Sequence, residues 1–202
     1  MDAVNIDDIL RLQDFGLERL DEDQAILRFA QRAEARIARW LDFAKGAAAV
    51  LLARYLIFPA SADAAIGPWA EPVAGLAAIL GHNFSLFLRF RGGRGVAVGG
   101  GVTLAMNPLV VFISLAVGAV PVIVTRYVSL GSIIAAAACP IVDVIFVLTG
   151  HDSWSHFAFV LVGGLLIIIS HHDNIQRLLA GTERKLGQHV QAEAPSSAEP
   201  KR

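Results

Sequence analysis

Three arginines, a histidine, an asparagine and a Gly-Gly-Arg-Gly turn fall together in the stretch GHNFSLFLRFRGGRGVA, Gly81–Ala97, between two long apolar segments. Gly92, Gly93 and Gly95 allow a tight backbone turn that aims several N–H groups at one point. Arg89, Arg91 and Arg94 surround that point with charge that deprotonation does not remove. An apolar helix that ends in such a turn, with another apolar helix following, suits an anion at a membrane surface, and phosphate is the obvious one. The plainer reading is a basic loop that anchors two transmembrane helices.

Two further polar junctions carry compatible groups. RYVSLGS supplies Arg126, Tyr127, Ser129 and Ser132; the segment after the last apolar run supplies Ser170, His171, His172, Asn174, Arg177, Thr182, Glu183 and Lys185. Guanidinium forks, hydroxyls, amide N–H groups and an Asn side chain are phosphate donors. His171 and Asn174 share one face of a turn, which favours a common partner. Ser129 and Ser132 are equally placed to cap the following helix. Glu183 and Lys185 read as an exposed surface pair, and His82 as a group hydrogen-bonded within the bundle or on a substrate. No carboxylate pair or HExxH spacing marks a metal site, and adjacent His171 and His172 do not face one ion from a helix. A GxSxG nucleophile elbow is also absent from the sequence. What remains is positioning and electrostatic stabilisation of phosphorylated substrates at a bilayer surface, with no metal, cofactor or nucleic acid in the reading.

The elements that must hold these junctions follow from composition. Hydrophobic residues make up 55% of the 202, only 17% are charged, and the mean hydropathy is +0.57. The apolar residues come in runs that approach the roughly 20 helical residues needed to cross a bilayer. The expected fold is all-α, a polytopic transmembrane bundle. Spans are expected at Trp40–Phe58, Trp69–Leu88, Val96–Met106 (short), Leu109–Thr125, Val128–Leu148 and Phe157–Ile169. Arg28–Lys45, Arg89–Arg94, Arg126 and Arg177–Lys185 fall at alternate span ends, which places both termini and all three polar junctions on the cytoplasmic face. Arg54 alone is off this pattern, and its long stem is expected to snorkel. Upstream, Ile26, Phe29 or Ala30, Ala33, Ile37 and Trp40 recur at helical spacing opposite Arg28, Arg32, Arg36 and Arg39, a basic amphipathic helix suited to the headgroup layer that leads into the first span. The expected organisation is therefore a polar and amphipathic segment 1–39, a membrane domain 40–187, and a disordered tail 188–202 rich in Pro, Ser, Glu and Ala. The acidic N-terminus lacks the apolar core of a cleavable signal peptide. Cys139, the single cysteine, reads as a small buried apolar residue.

Three of these stretches, in order, are GHxFxxFLxFxGGxGVA at Gly81–Ala97, RYVSLGS at Arg126–Ser132 and HxxNIxRLLxGTExKxG at His171–Gly187. Together with LDFAKGAAAVLLA at Leu41–Ala53 they resemble the acyl-phosphate-dependent glycerol-3-phosphate acyltransferase (PlsY) family over roughly residues 40–187. The resemblance implies an enzyme of the bacterial inner membrane that moves a fatty acyl group from acyl phosphate to the 1-hydroxyl of glycerol 3-phosphate. The products are lysophosphatidic acid, a step of phospholipid synthesis, and inorganic phosphate. It implies catalytic roles for Arg94, Ser129, Ser132, His171 and Asn174. Substrate phosphate is then held by Lys45, His82, Arg91, Gly92, Gly93, Gly95, Arg126 and Arg177.

The chain departs from the family pattern at one place above all. Family members carry a further transmembrane helix and then a GSGNxGATN motif, which falls near Leu17–Ala25, where this chain reads LERLDEDQA. Acidic residues there repel phosphate. Arg91 and Arg94 also stand where the family has lysines, and His172 where it has arginine. The alternative left open is a paralogue that binds a lipid phosphate or a partner membrane protein without turnover.

Overall fold

The computed structural model describes residues 22–57, 67–85 and 92–188, and among these there is helix and no strand. The acidic stretch 1–21, the 58–66 connection, Arg89, Arg91 and the tail from 189 lie outside the described residues. The chain divides into two compact units, 1–41 and 42–202.

Helix α1 runs Glu22–Leu52 without a break, so the amphipathic pattern and the start of the first expected span form one element. Ile26, Phe29 and Ile37 are exposed. A π-helical turn, Ala53–Ile57, follows. After a 3-10 turn at Gly67–Trp69, α2 covers Ala70–Asn83. Its end corrects the expected Trp69–Leu88 span: Phe84 leaves helical geometry, and the Gly/Arg turn packs back against the helix end. Helix α3, Val96–Met106, has the expected short bounds. Helix α4 is Pro108–Thr125, capped by the Asn107 side chain, which accepts from the Leu109 and Val110 N–H groups. Helices α5, Val128–Leu148, and α6, Trp154–Ser170, complete the apolar set, and α7, His172–Leu179, leaves α6 at 56°.

Helices α4 and α5 are each long and apolar enough to cross a membrane, and the bent α6–α7 pair makes a third candidate. Fewer than a quarter of the residues in the apolar stretches of α4 and α5 are buried within the protein. Surface of that kind, with Ile123, Val124 and Leu148 largely exposed, is stable facing lipid rather than water. The core is formed by Val50, Ile79, Val98, Val102, Phe159 and Val160. Without a hydrophobic drive between helices in lipid, close backbone approach does the packing. Accordingly, a methyl added at Gly46 would collide with the Val98 carbonyl, and one at Gly101 with the carbonyl of Phe43.

Arg54 does not snorkel. Its guanidinium forks onto Glu71, Nε to Oε1 at 2.8 Å and Nη2 to Oε2 at 2.7 Å, and it also donates to the Ala105 carbonyl at 2.8 Å. A guanidinium fork in an apolar bundle is held by a carboxylate it can reach from the neighbouring helix. This pair belongs to a polar layer at the end of the bundle away from the Gly/Arg turn. In the same layer His156 Nδ1 lies 2.6 Å from Asp152 Oδ1, and Asn107 Nδ2 donates to Asp152 Oδ2 at 2.7 Å.

Candidate active site

The Gly/Arg turn is shaped by the end of α2. Gly92 lies so close to the His82 carbonyl that a side chain there would collide with it, and Gly93 N–H donates to that carbonyl at 3.3 Å. Gly95 has φ +76° and stands at the N-cap of α3, a left-handed conformation that favours glycine. The sequence pattern is therefore met by a specific need at each end of the turn. Arg94 projects from it and is exposed.

Beside the turn, His82 Nδ1 lies 3.2 Å from Asp42 Oδ1, which also accepts from Lys45 Nζ at 3.0 Å. The two residues expected to hold phosphate thus share one carboxylate. Asn83 Nδ2 donates to Ser170 Oγ at 3.1 Å and so joins the first junction to the third. The Asn83 Oδ1 atom is buried without a partner.

The second and third junctions meet at Glu183. Its carboxylate accepts from Ser129 Oγ at 2.9 Å, Asn174 Nδ2 at 2.8 Å and Arg177 Nε at 2.8 Å. The Glu183 side chain is only 7% exposed, so the expectation of a solvated Glu183–Lys185 pair is overturned. Lys185 instead lies over the Tyr127 ring, 5.6 Å from its centroid. Burial pushes the Glu183 carboxyl upward, but the hydrogen bonds from Asn174, Ser129 and Arg177 outweigh it and hold the group below its ordinary range. The sequence offered one signal for this: Glu183 follows a Gly-Thr turn that brings the chain back against α7.

His171 and Asn174 are each 2% exposed. They do not bond to a common group: Asn174 serves Glu183, while His171 Nδ1 lies 2.8 Å from the Ile167 carbonyl. A carbonyl only accepts, which assigns the proton to Nδ1 and leaves the Nε2 lone pair free to take another. Burial holds the imidazole below its ordinary range, the bond to Ile167 opposes this, and the nearby Arg94 charge adds to the lowering. These effects together favour the neutral imidazole. Asn174 Oδ1 is buried without a partner.

Neither serine of RYVSLGS caps α5, whose N-cap is Tyr127. Ser132 Oγ donates back to the Val128 carbonyl at 3.0 Å. Arg126, at φ 63°, ends α4, and its carbonyl accepts from Leu186 N–H at 2.7 Å; its guanidinium is exposed. It therefore ties the last segment to the α4–α5 turn through its backbone.

Ser132 also stands at one end of a slot between α2, α3, α4, α5 and α6. The slot holds about 520 Å³, part of it open to the outside, and small residues such as Gly99, Gly100, Ala135 and Gly163 shape its walls. Val96, Ser132 and Ile167 lie at the end near the Gly/Arg turn, and Thr103, Cys139 and Phe159 at the other. Among the described residues no group of three His, Cys, Asp or Glu side chains is arranged to hold a metal ion.

A helical bundle whose apolar helices face lipid, with buried polar groups gathered from three loops at one end, defines an integral membrane protein. Residues 24–181 match the family described as "Glycerol-3-phosphate acyltransferase". "Glycerol-3-phosphate acyltransferase 2" of Moorella thermoacetica is 45% identical over 148 residues, 73% of this chain and 70% of that one. The "Glycerol-3-phosphate acyltransferase" of Trichormus variabilis is 39% identical over 182 residues, 86% of this chain and 79% of the relative. Among solved structures, the chain resembles PlsY (YgiH), an integral membrane glycerol 3-phosphate acyltransferase. Its lysophosphatidic acid form aligns with TM-score 0.65 and 31% identity over 81% of this chain and 78% of that one. Its glycerol 3-phosphate form aligns with TM-score 0.65 and 32% identity over 79% and 74%. The chain belongs to the glycerol-3-phosphate acyltransferase family.

Proposed function

We propose that this protein transfers a fatty acyl group from acyl phosphate to the 1-hydroxyl of glycerol 3-phosphate, forming lysophosphatidic acid and inorganic phosphate. One observation carries the reading: three junctions rich in anion donors converge at the mouth of an apolar slot. Such a site receives a molecule charged at one end and hydrocarbon at the other. The slot takes the acyl chain, and Arg94 takes phosphate with the N–H groups of the Gly92–Gly95 turn other than that of Gly93, which is bonded to the His82 carbonyl.

In the transfer, the 1-hydroxyl oxygen bonds to the acyl carbonyl carbon while the bond from that carbon to the phosphate oxygen breaks. The hydroxyl proton ends on the released phosphate. His171 Nε2 relays that proton, because its imidazole is neutral with Nδ1 already committed to Ile167. Arg94 stabilises charge building on the leaving phosphate. Glu183 keeps Ser129, Asn174 and Arg177 in register, and substrate phosphate takes up donor capacity around this hub. Lys45 and the guanidinium of Arg126 attract the anionic substrates to the same end of the bundle, where His82 offers a hydrogen bond.

The reading includes a six-span arrangement in the cytoplasmic membrane, with both termini and the site on the cytoplasmic side. The charge distribution along the chain supports it. Single cysteines at Gly150 and Thr182, in a chain lacking Cys139, should label from opposite sides of sealed vesicles. Labelling of both from one side overturns this topology.

The activity is tested with purified protein in detergent and labelled glycerol 3-phosphate, offering palmitoyl phosphate and palmitoyl-CoA separately. Lysophosphatidic acid formed only from the acyl phosphate, and lost in Arg94→Ala, is the expected result. Binding of glycerol 3-phosphate with no product from either donor overturns the catalytic reading in favour of a phosphate-binding paralogue.

A further inference from the structure

The apolar slot ends above a buried ionic layer, and the same four-residue spacing links the two on α5, on α6 and from α3 into its C-cap. Thr103 lies at the slot's inner end, and Asn107 follows four residues later; its side chain holds Asp152. Cys139 lies at that end on α5, with Asp143 four residues further. On α6, Val160 lines the slot, and His156, bonded to Asp152, lies four residues before it. Four residues is about one helical turn, roughly 6 Å, so α5 and α6 each carry the slot floor and then a polar group beneath it, and Asn107, just past the end of α3, adds a third.

Asp143 is the most telling member. It is 1% exposed, and its oxygens receive no N–H or hydroxyl donor, facing instead the carboxylate of Asp152. The charged groups that act on it are Asp152 and His156, from the α5–α6 loop and α6. The Cys139 thiol just above has the Ser114 and Thr103 hydroxyls and Asp143 as its electrostatic neighbours. Polarity therefore rises stepwise along one line, from glycine and alanine walls, through hydroxyls and a thiol, to a carboxylate.

We infer that this polar floor is a ruler that limits how deep an acyl chain descends, with Asp143 as the stop. The inference rests on the reading of the slot as the acyl site. Ser132 to Cys139 is seven residues of helix, roughly 10 Å, whereas one leaflet of a bilayer offers about 15 Å of hydrocarbon. A chain as long as a leaflet reaches the floor before it is fully inserted. Methylenes pushed further meet the Cys139 thiol and, packed directly behind it, the buried Asp143 carboxylate, which leaves no space and offers a hydrocarbon tail no favourable surface. The remaining tail turns out through the open side of the slot into lipid.

The test is the ratio of initial rates with palmitoyl and octanoyl phosphate, octanoyl serving as each variant's own reference. Asp143→Ala removes the carboxylate and opens space beneath Cys139, and its palmitoyl-to-octanoyl ratio rises by about fourfold or more, the worth of one further buried methylene. Asp143→Asn keeps a polar group of the same size and keeps the wild-type ratio. Cys139→Phe fills the floor and lowers the ratio by about tenfold or more, two or so methylenes excluded. A merely structural role for Asp143 depresses both donors together in Asp143→Ala and leaves the ratio unmoved. An unchanged ratio in both Asp143→Ala and Cys139→Phe overturns the ruler while leaving the acyltransferase reading intact. Absence of lysophosphatidic acid from wild-type protein with every chain length overturns the acyl-site reading itself, and the ruler with it.

Discussion

The two polar ends of this bundle are built from the same residue types and behave differently. At the Gly/Arg end, groups arrive on loops and helix termini, and several keep unused capacity: Asn83 Oδ1 and Asn174 Oδ1 lack partners, and Arg94 is exposed. At the opposite end, Arg54 is satisfied by Glu71 and Ala105, and Asp152 by His156, Asn107 and the Ser153 N–H. A polar cluster with vacant donors and acceptors is ready for a ligand; one that pairs internally holds helices together. Asp143 is the exception at the second end.

The sharpest break of this comparison is Arg94→Ala. The loss of a charged donor at developing phosphate charge lowers kcat/KM by roughly 10²–10³-fold while thermal stability in detergent holds, because Arg94 is exposed. Equal activity of variant and wild type removes the glycine turn from the site. Glu183→Ala comes next. It leaves Ser129, Asn174 and Arg177 without their common acceptor, and it costs both activity, roughly 10-fold to 100-fold, and about 1–3 kcal/mol of stability. Chemical denaturation alongside the rate assay separates the two; a fully active, fully stable variant returns Glu183 to the surface.

The opposite end is probed by pH. Burial pushes the Asp152 carboxyl up, but hydrogen bonds from His156, Asn107 and the Ser153 N–H prevail and set it at about 2, below its ordinary 3.8. A depressed folded pKa gives stability that is fully present above 3.8 and is lost as pH falls toward 2. The melting temperature should therefore fall between about pH 4 and pH 2, and less steeply in Asp152→Asn. Identical slopes show that the layer contributes no stability through this carboxylate. The smallest effect belongs to His172→Ala. His172 and its neighbour Asp173 form an exposed pair, and the expected change in rate is within about twofold.

Much of the bundle was legible in the chain because hydropathy and breakers act locally. The bounds of Val96–Met106 follow from Gly95 on one side and Asn107-Pro108 on the other, and α5 ends where the apolar run ends. The α2 terminus falls short of the expected Leu88 because apolar character extends through Phe84–Leu88, yet Gly92 and Gly93 need the end of α2 as a packing surface. Arg54 and Glu71 are seventeen residues apart, and nothing in their local sequence announces a fork between them. Glu183 was misjudged for a related reason: an acidic residue beside Lys185 in a polar segment has the pattern of a solvated pair, and only the fold back of that segment buries it.

The sequence by itself determined an all-helical membrane protein, the three junctions that carry anion donors, and the family to which they belong. Those are properties of residue type and spacing, expressed within a turn or a span. Tertiary structure alone decided which donors meet, that Glu183 is their hub, and that His171 keeps Nε2 free. It also decided that an apolar slot runs from Ser132 to a buried ionic layer. The Glu183 hub and the slot depend on groups from separate segments brought together, the hub's partners within about 3 Å of its carboxylate. The His171 bond to Ile167, by contrast, is a local i−4 contact whose consequence depends on the burial the fold imposes.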